Sequence, residues 1–274
     1  MNSSLHFQDF KQNSPNGTMK SFVSKYGMMP EEMDRISAMV GHNLPRNSLF
    51  GLFDFMKSNS TLDSIHSQYN MAYGTFTSRL WRTVDLLNLT LGSWTLFSGR
   101  LNYDPLVIHF EDGSHKKIWS IIDATECYIS RPTDQEKQRF FYSGYKKRTT
   151  LKYNVLCCTF HDEIVGWDGP HRGPAHERVV SELQPYMQEL KDEEFLMGDS
   201  KYRKAGSKFI TYHEISEDLR SDFNSIRVRI ERLNSHLKKW RVLSGTWRGS
   251  HEQHAKLFEL AVNVHNFLLK TRNQ

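Results

Sequence analysis

Residues 117–129 read KIWSIIDATECYI, a buried strand that delivers Asp123 at its far end. Ile118, Trp119, Ile121 and Ile122 are strand formers, and the small Ala124 and Thr125 follow the acid. A carboxylate ending an apolar strand suits a cluster of oxygen ligands around a metal. Asp is equally a turn and N-cap residue, so spacing alone leaves both readings open. The other acids of the chain have to decide between them.

A length of 274 residues allows a sizeable core, in one large domain or a small module joined to a larger one. The composition, 38% hydrophobic and 24% charged, is that of a soluble globular protein. No apolar run approaches the roughly 20 residues that a membrane span needs. The first 17 residues, MNSSLHFQDFKQNSPNG, lack the apolar core of a secretory signal. Cys127, Cys157 and Cys158 include no C-x-x-C pair, which argues against structural zinc and for a reducing, intracellular compartment. That compartment is the nucleus if the chain is eukaryotic and the cytoplasm otherwise.

The net charge of +5 is unevenly spread. Residues 131–152 hold seven basic and two acidic side chains, residues 201–248 hold twelve and five, and residues 153–200 between them hold three and ten. A basic rim around a carboxylate cluster suits a protein that grips a phosphate backbone while metal ions sit at its centre.

In chain order, residues 1–47 mix Ser, Asn, Gly and Met and predict a partly disordered arm. Residues 48–98 carry three helical segments, SLFGLFDFMKS, TLDSIHSQY and YGTFTSRLWRTVDLLN, with Thr61 capping the second and Asn70 and Gly74 marking the turn before the third. In the third, Phe76, Leu80, Val84 and Leu87 share one face and leave Thr75, Arg79 and Arg82 on others. This reads as a helix-turn-helix DNA-binding module whose recognition helix starts near Tyr73; a plain three-helix packing unit needs the same apolar faces. Beyond Asp123, FFYSGYKKR, TLKYNVLCCTF and IVGWDG are β-rich, the last two joined by a tight polar HDE turn. AHERVVSELQPYMQEL follows with helical spacing, and the short strand EFLMGDS brings up Asp199.

The ordered blocks IDATE, RFFYSGYKKRTTLKYNVLCC, GPHRGPAHERVV, LMGDSKY, SIRVRIERLNSHLKKWRVLSG and VNVHNFLL, over roughly residues 117–270, resemble the DDE transposases of the Harbinger/PIF type, relatives of a bacterial insertion-sequence family. The resemblance implies an α/β fold, a ribonuclease-H-like catalytic core, over residues 99–274 behind the small all-α module. It implies catalytic, metal-binding acids at Asp123, Asp199 and Glu231. As partners it implies double-stranded DNA with terminal inverted repeats, a homo-oligomer on that DNA, and a separate Myb-like helper protein.

The spacing around Glu231 agrees. On a helix over 226–240, Ile226, Ile230, Leu233, Leu237 and Trp240 form one stripe, while Glu231 lies off it beside Arg227, Asn234 and Lys238. A surface ion pair between Glu231 and Arg227 is the competing reading. In-line attack on a phosphodiester requires an activated water or 3′-hydroxyl and a stabilised leaving oxygen, which two Mg²⁺ (or Mn²⁺) ions can supply. Hard cations take oxygen ligands, so three acids suffice, with Asp123 bridging the ions and Asp199 and Glu231 each completing one site. Lys146, Lys147, Arg148, Arg227 and Lys238 would hold backbone phosphates.

Three positions depart from the family pattern: Ala124 and Lys201 where Gly is usual, and Glu177 where Asp often follows the His. Lys201 is strained if its position needs a positive φ. Two functions follow: an active metal-dependent endonuclease and transposase, or a transposase-derived DNA-binding or protein-interaction factor without turnover.

Overall fold

The computed structural model describes residues 4–41, 44–110, 113–204, 207–217 and 219–272. The chain forms two units, residues 94–236 and, around them in sequence, residues 1–93 with 237–272.

The first unit is helical: α1 (Leu5–Asn13), α2 (Met19–Tyr26), α3 (Pro30–Val40), α4 (Arg46–Ser58), the short α5 (Leu62–Ile65) and α6 (Tyr73–Leu91). The expected disordered arm is therefore three helices. Ser and Gly, two of the residue types that suggested disorder, are among their caps. The Ser4 hydroxyl accepts from the Phe7 N–H, Thr18 and Ser21 cap one another at α2, and Gly27, at φ 78°, ends that helix in the left-handed region. Pro30 opens α3, and the Glu32 carboxylate reaches back to the Met29 N–H at 2.8 Å. Phe10, Phe22, Tyr26 and Phe50 then pack together, with ring centroids 4.8–5.3 Å apart, edge to face from Phe10 to Phe22 and Phe22 to Tyr26 and tilted from Tyr26 to Phe50.

On α6 the stripe Phe76, Leu80, Val84 and Leu87 is buried as its period requires. Thr75, Arg79 and Arg82 are exposed.

The second unit starts with β1 (Leu106–His109) and the long β2 (His115–Tyr128). Next come α7 (Gln135–Phe141), β3 (Tyr142–Ser143), β4 (Arg148–Cys158) and β5 (Ile164–Arg172). Two short helices, α8 (Glu177–Glu182) and α9 (Pro185–Gln188), lead to β6 (Glu194–Met197), β7 (Phe209–Ile210) and α10 (Arg220–Leu237). Strand β4 lies antiparallel between β2 and β5, whereas β6 joins the other side of β2 in parallel and β7 follows parallel to β6. One face of the sheet buries Ile122, Leu156, Val165, Leu196 and Phe209 with Tyr186 and Tyr202. The chain returns to the first unit through α11 (Arg241–Ser244) and α12 (His251–Arg272). There α12 lies along α6, with the Lys256 ammonium 2.9 Å from Asp85 and the Asn88 amide donating to the Lys256 carbonyl at 3.0 Å. Among the described residues no helix is long and apolar enough to cross a membrane.

Strand β2 does not end at Asp123. Thr125 lies opposite Tyr153 and Tyr128 opposite Thr150, and the Thr150 hydroxyl donates to Glu126 at 2.7 Å, so pairing with β4 carries the strand five residues past the acid. The helix expected over 226–240 stops at Leu237; Trp240 instead precedes α11 and stacks on Phe53 with centroids 5.8 Å apart.

Candidate active site

Asp123 and Asp199 are brought level by strand register. Ile121 of β2 pairs with Met197 of the parallel β6, and each acid follows its pairing residue by two. The β6 pairing stops at Met197, so Asp123 has no strand partner on that side although β2 itself continues. Side chains alternate along a strand, so Asp123 faces away from Ile122 and its core, toward α10. There the Asn234 amide of α10 donates to the Asp123 carboxylate at 2.8 Å. Gly198 precedes Asp199 because the Tyr202 ring closes on it: a Cβ would lie 2.8 Å from that ring. Asp199 then caps the 3₁₀ turn Ser200–Tyr202, its carboxylate accepting from the Lys201 N–H at 2.9 Å.

Burial first, and the Asp199 charge second, push the Asp123 carboxyl up to about 6, against the opposing help of the Ala124 N–H, Lys201 and Asn234. Such a pair of acids holds a negative charge that the protein only partly neutralises. The Asn234 side-chain oxygen, on the same amide that contacts Asp123, is buried without a hydrogen-bond partner. Two carboxylates and an unpartnered amide oxygen, with no thiolate, fit a hard divalent cation such as Mg²⁺ or Mn²⁺. Asn234 was visible in the sequence only as a neighbour of Glu231; its position three residues on is what turns it to Asp123.

Glu231 is not brought to this pair. Its carboxylate lies 3.2 Å from Arg227, both side chains being about half exposed, one turn of α10 before Asn234. Among the described residues no three His, Cys, Asp or Glu side chains converge as a metal cluster. Lys238 belongs to the first unit, where its ammonium donates to the Leu243 carbonyl at 3.2 Å. Lys146 and Lys147 are exposed on the turn between β3 and β4, and Arg148 is exposed at the start of β4.

The two charged departures from the family pattern meet. Glu177 is buried and accepts from the Lys152 ammonium at 2.9 Å, and the Lys201 ammonium lies 3.7 Å from the same carboxylate oxygen. Burial would raise the Glu177 carboxyl, but the Lys152 hydrogen bond and the charges of Lys152 and Lys201 more than reverse this and hold it below its ordinary value. Lys201 adopts a negative φ, so the feared strain is absent.

Neither the curated proteins nor the solved structures contain a match to the chain. A family model described as DDE superfamily endonuclease matches residues 122–266, a span that begins one residue before Asp123 and also holds Asp199, Asn234 and Glu231. The match takes in more than half of the 274 residues, and the chain belongs to the DDE superfamily endonucleases.

Proposed function

We propose that the chain is a divalent-metal-dependent DNA endonuclease and transposase of the Harbinger/PIF type, with a ribonuclease-H-like core and catalytic acids Asp123, Asp199 and Glu231. The observation that carries this reading is the pair of level acids beside the unpartnered Asn234 oxygen. The strand order β5-β4-β2-β6-β7, three antiparallel strands followed by two parallel ones, supports the core assignment. Bound Mg²⁺ or Mn²⁺ would activate the attacking water or 3′-hydroxyl and stabilise the leaving oxygen. Asp123 and Asp199 hold the ion's charge, Asn234 fixes the rotamer of Asp123, and the exposed Lys146, Lys147, Arg148 and Arg227 hold backbone phosphates. The substrate is double-stranded DNA bearing terminal inverted repeats, bound by a homo-oligomer with a Myb-like helper protein.

Glu231 joins the acids by releasing Arg227, an exposed pair worth only a few tenths of a kcal/mol. Incubating labelled duplex DNA with Mg²⁺ or Mn²⁺ tests this: wild type cuts, while Asp199→Ala and Glu231→Gln lose cleavage by orders of magnitude. Glu231→Gln should also leave the melting temperature unchanged within about a degree, since the ion pair is exposed. Cutting by Glu231→Gln at near the wild-type rate removes Glu231 from the site. The second reading, a DNA-binding factor without turnover, draws on the Arg227–Glu231 pair itself, and stands if wild type binds DNA without cutting it.

The helix-turn-helix role of α4 to α6 rests on the exposed Thr75, Arg79 and Arg82 opposite the buried stripe of α6. Changing Arg79 and Arg82 together to Ala should weaken DNA binding and flatten its dependence on log salt by roughly one unit for each phosphate no longer neutralised. A titration of binding against salt that gives the wild-type slope for the double variant removes these arginines from the interface.

A further inference from the structure

We propose that Tyr145 is a stacking platform for an unpaired nucleobase of the DNA strand at the cleavage centre, a role that rests on the DNA-cleaving reading above. Tyr145 stands at the tip of the turn between β3 and β4 and is 75% exposed, more than any other exposed aromatic among the described residues. Leaving a large ring in water forfeits the burial that would otherwise stabilise the fold, and this turn is not floppy. The Ser143 hydroxyl accepts from the Lys146 N–H at 3.2 Å, and Lys147 takes the left-handed conformation, φ 53°, that closes the turn.

The surroundings of the ring specify its ligand. The Lys146 ammonium lies 4.8 Å and the Lys201 ammonium 5.0 Å from its centroid. Lys201 is the residue whose main-chain N–H holds Asp199, so a single residue spans the distance from the catalytic acid to the exposed ring. An aromatic face flanked by cations matches a nucleic-acid strand: the base stacks on the ring while the ammonium groups meet its phosphates. A base inside an intact duplex has both faces covered by its neighbours, so the ring can take only one that is unpaired, as at a frayed end or beside a nick. The sequence preceding the turn extends the same chemistry, with Phe140 half exposed under Arg172 at 5.4 Å.

The test measures fluorescence anisotropy with two labelled DNAs in EDTA, so that nothing is cut: a fully paired duplex, and the same duplex ending in three unpaired nucleotides. Wild type should bind the tailed DNA about tenfold more tightly than the paired one, the lower part of the range for stacking one base. Tyr145→Ala should lose this preference and keep its affinity for the paired duplex within about twofold, while Tyr145→Phe, which retains the ring, keeps the preference. Preference retained by Tyr145→Ala, or lost equally by Tyr145→Phe, overturns the proposal. Wild-type binding to both DNAs with equal affinity overturns the stacking platform and leaves DNA binding standing; no binding to either overturns both.

Discussion

Replacing Asp123 by Asn should abolish DNA cleavage while raising the stability of the metal-free protein at pH 7.5. On the proposed function, the loss of cleavage, about a thousandfold or more, would follow from removing a ligand of an ion whose charge stabilisation is worth several kcal/mol. The gain in stability follows from the raised carboxyl, pushed up to about 6 by burial and by Asp199. A shift of about two units at roughly 1.4 kcal/mol each bounds the penalty of the ionised form at about 3 kcal/mol, and the partial opening of Asp123 to solvent brings the expected gain nearer 1–2 kcal/mol, or a few degrees in Tm. Because the folded protein binds this proton more tightly than the unfolded chain, wild-type stability rises as pH falls from about 6 toward 4, and above 6 the penalty is present in full. The advantage of Asp123→Asn should therefore be largest at pH 7.5 and vanish near pH 4. On the proposed function, adding Mg²⁺ should reverse the order at neutral pH, since an ion held by Asp123 would stabilise the wild type more than the variant. Thermal melts over this pH range that show Asp123→Asn less stable than wild type at pH 7.5 without metal would refute the electrostatic account of the acid pair.

Lys152→Met should be the more damaging change to the fold, costing about 3–5 kcal/mol. Lys152 is 4% exposed; its ammonium donates to Glu177 at 2.9 Å and to the Ala175 carbonyl at 2.6 Å. Methionine fills similar space but leaves the buried Glu177 carboxylate without its main partner, the Lys201 ammonium at 3.7 Å being half in water. Glu177 is held below the usual carboxylate range, so its contribution is complete above the unfolded value of about 4 and is lost as pH falls through the lower folded value. The difference between wild type and variant should thus be widest near neutral pH and shrink in acid. Lys152→Met combined with Glu177→Leu should recover much of the loss, because two apolar groups in place of a buried pair leave no charge stranded. Denaturant titrations of the two variants check this, and a loss for Lys152→Met below about 1 kcal/mol would show that the pair is not buried as described.

What was legible in the sequence was whatever has a local period or a local stop. The alternation and β-branching of IWSII made a strand, the polar HDE made the β4–β5 hairpin, and the spacing of Phe76, Leu80, Val84 and Leu87 fixed which face of α6 is buried. The acids Asp123 and Asp199 were legible as chemistry. Ser and Gly near the N-terminus misled because the same residues suit disordered chain and helix caps, and only the aromatic packing of Phe10, Phe22, Tyr26 and Phe50 separates the two. Ala124 and Thr125 misled in the opposite sense: small residues after the acid suggested a strand end, yet β4 pairs with them.

By itself, then, the sequence determined the β2 strand, the β4–β5 hairpin and the buried face of α6, because each is set by residues a few positions apart. Tertiary structure alone decided that Asp123 and Asp199 stand level, that Asn234 rather than Glu231 contacts Asp123, that Glu177 answers both Lys152 and Lys201, and that Lys201 reaches Tyr145. The physical reason is register: pairing Ile121 with Met197 fixes residues 76 positions apart, and a slip of one residue would turn a side chain to the opposite face of the sheet, a choice no local pattern records.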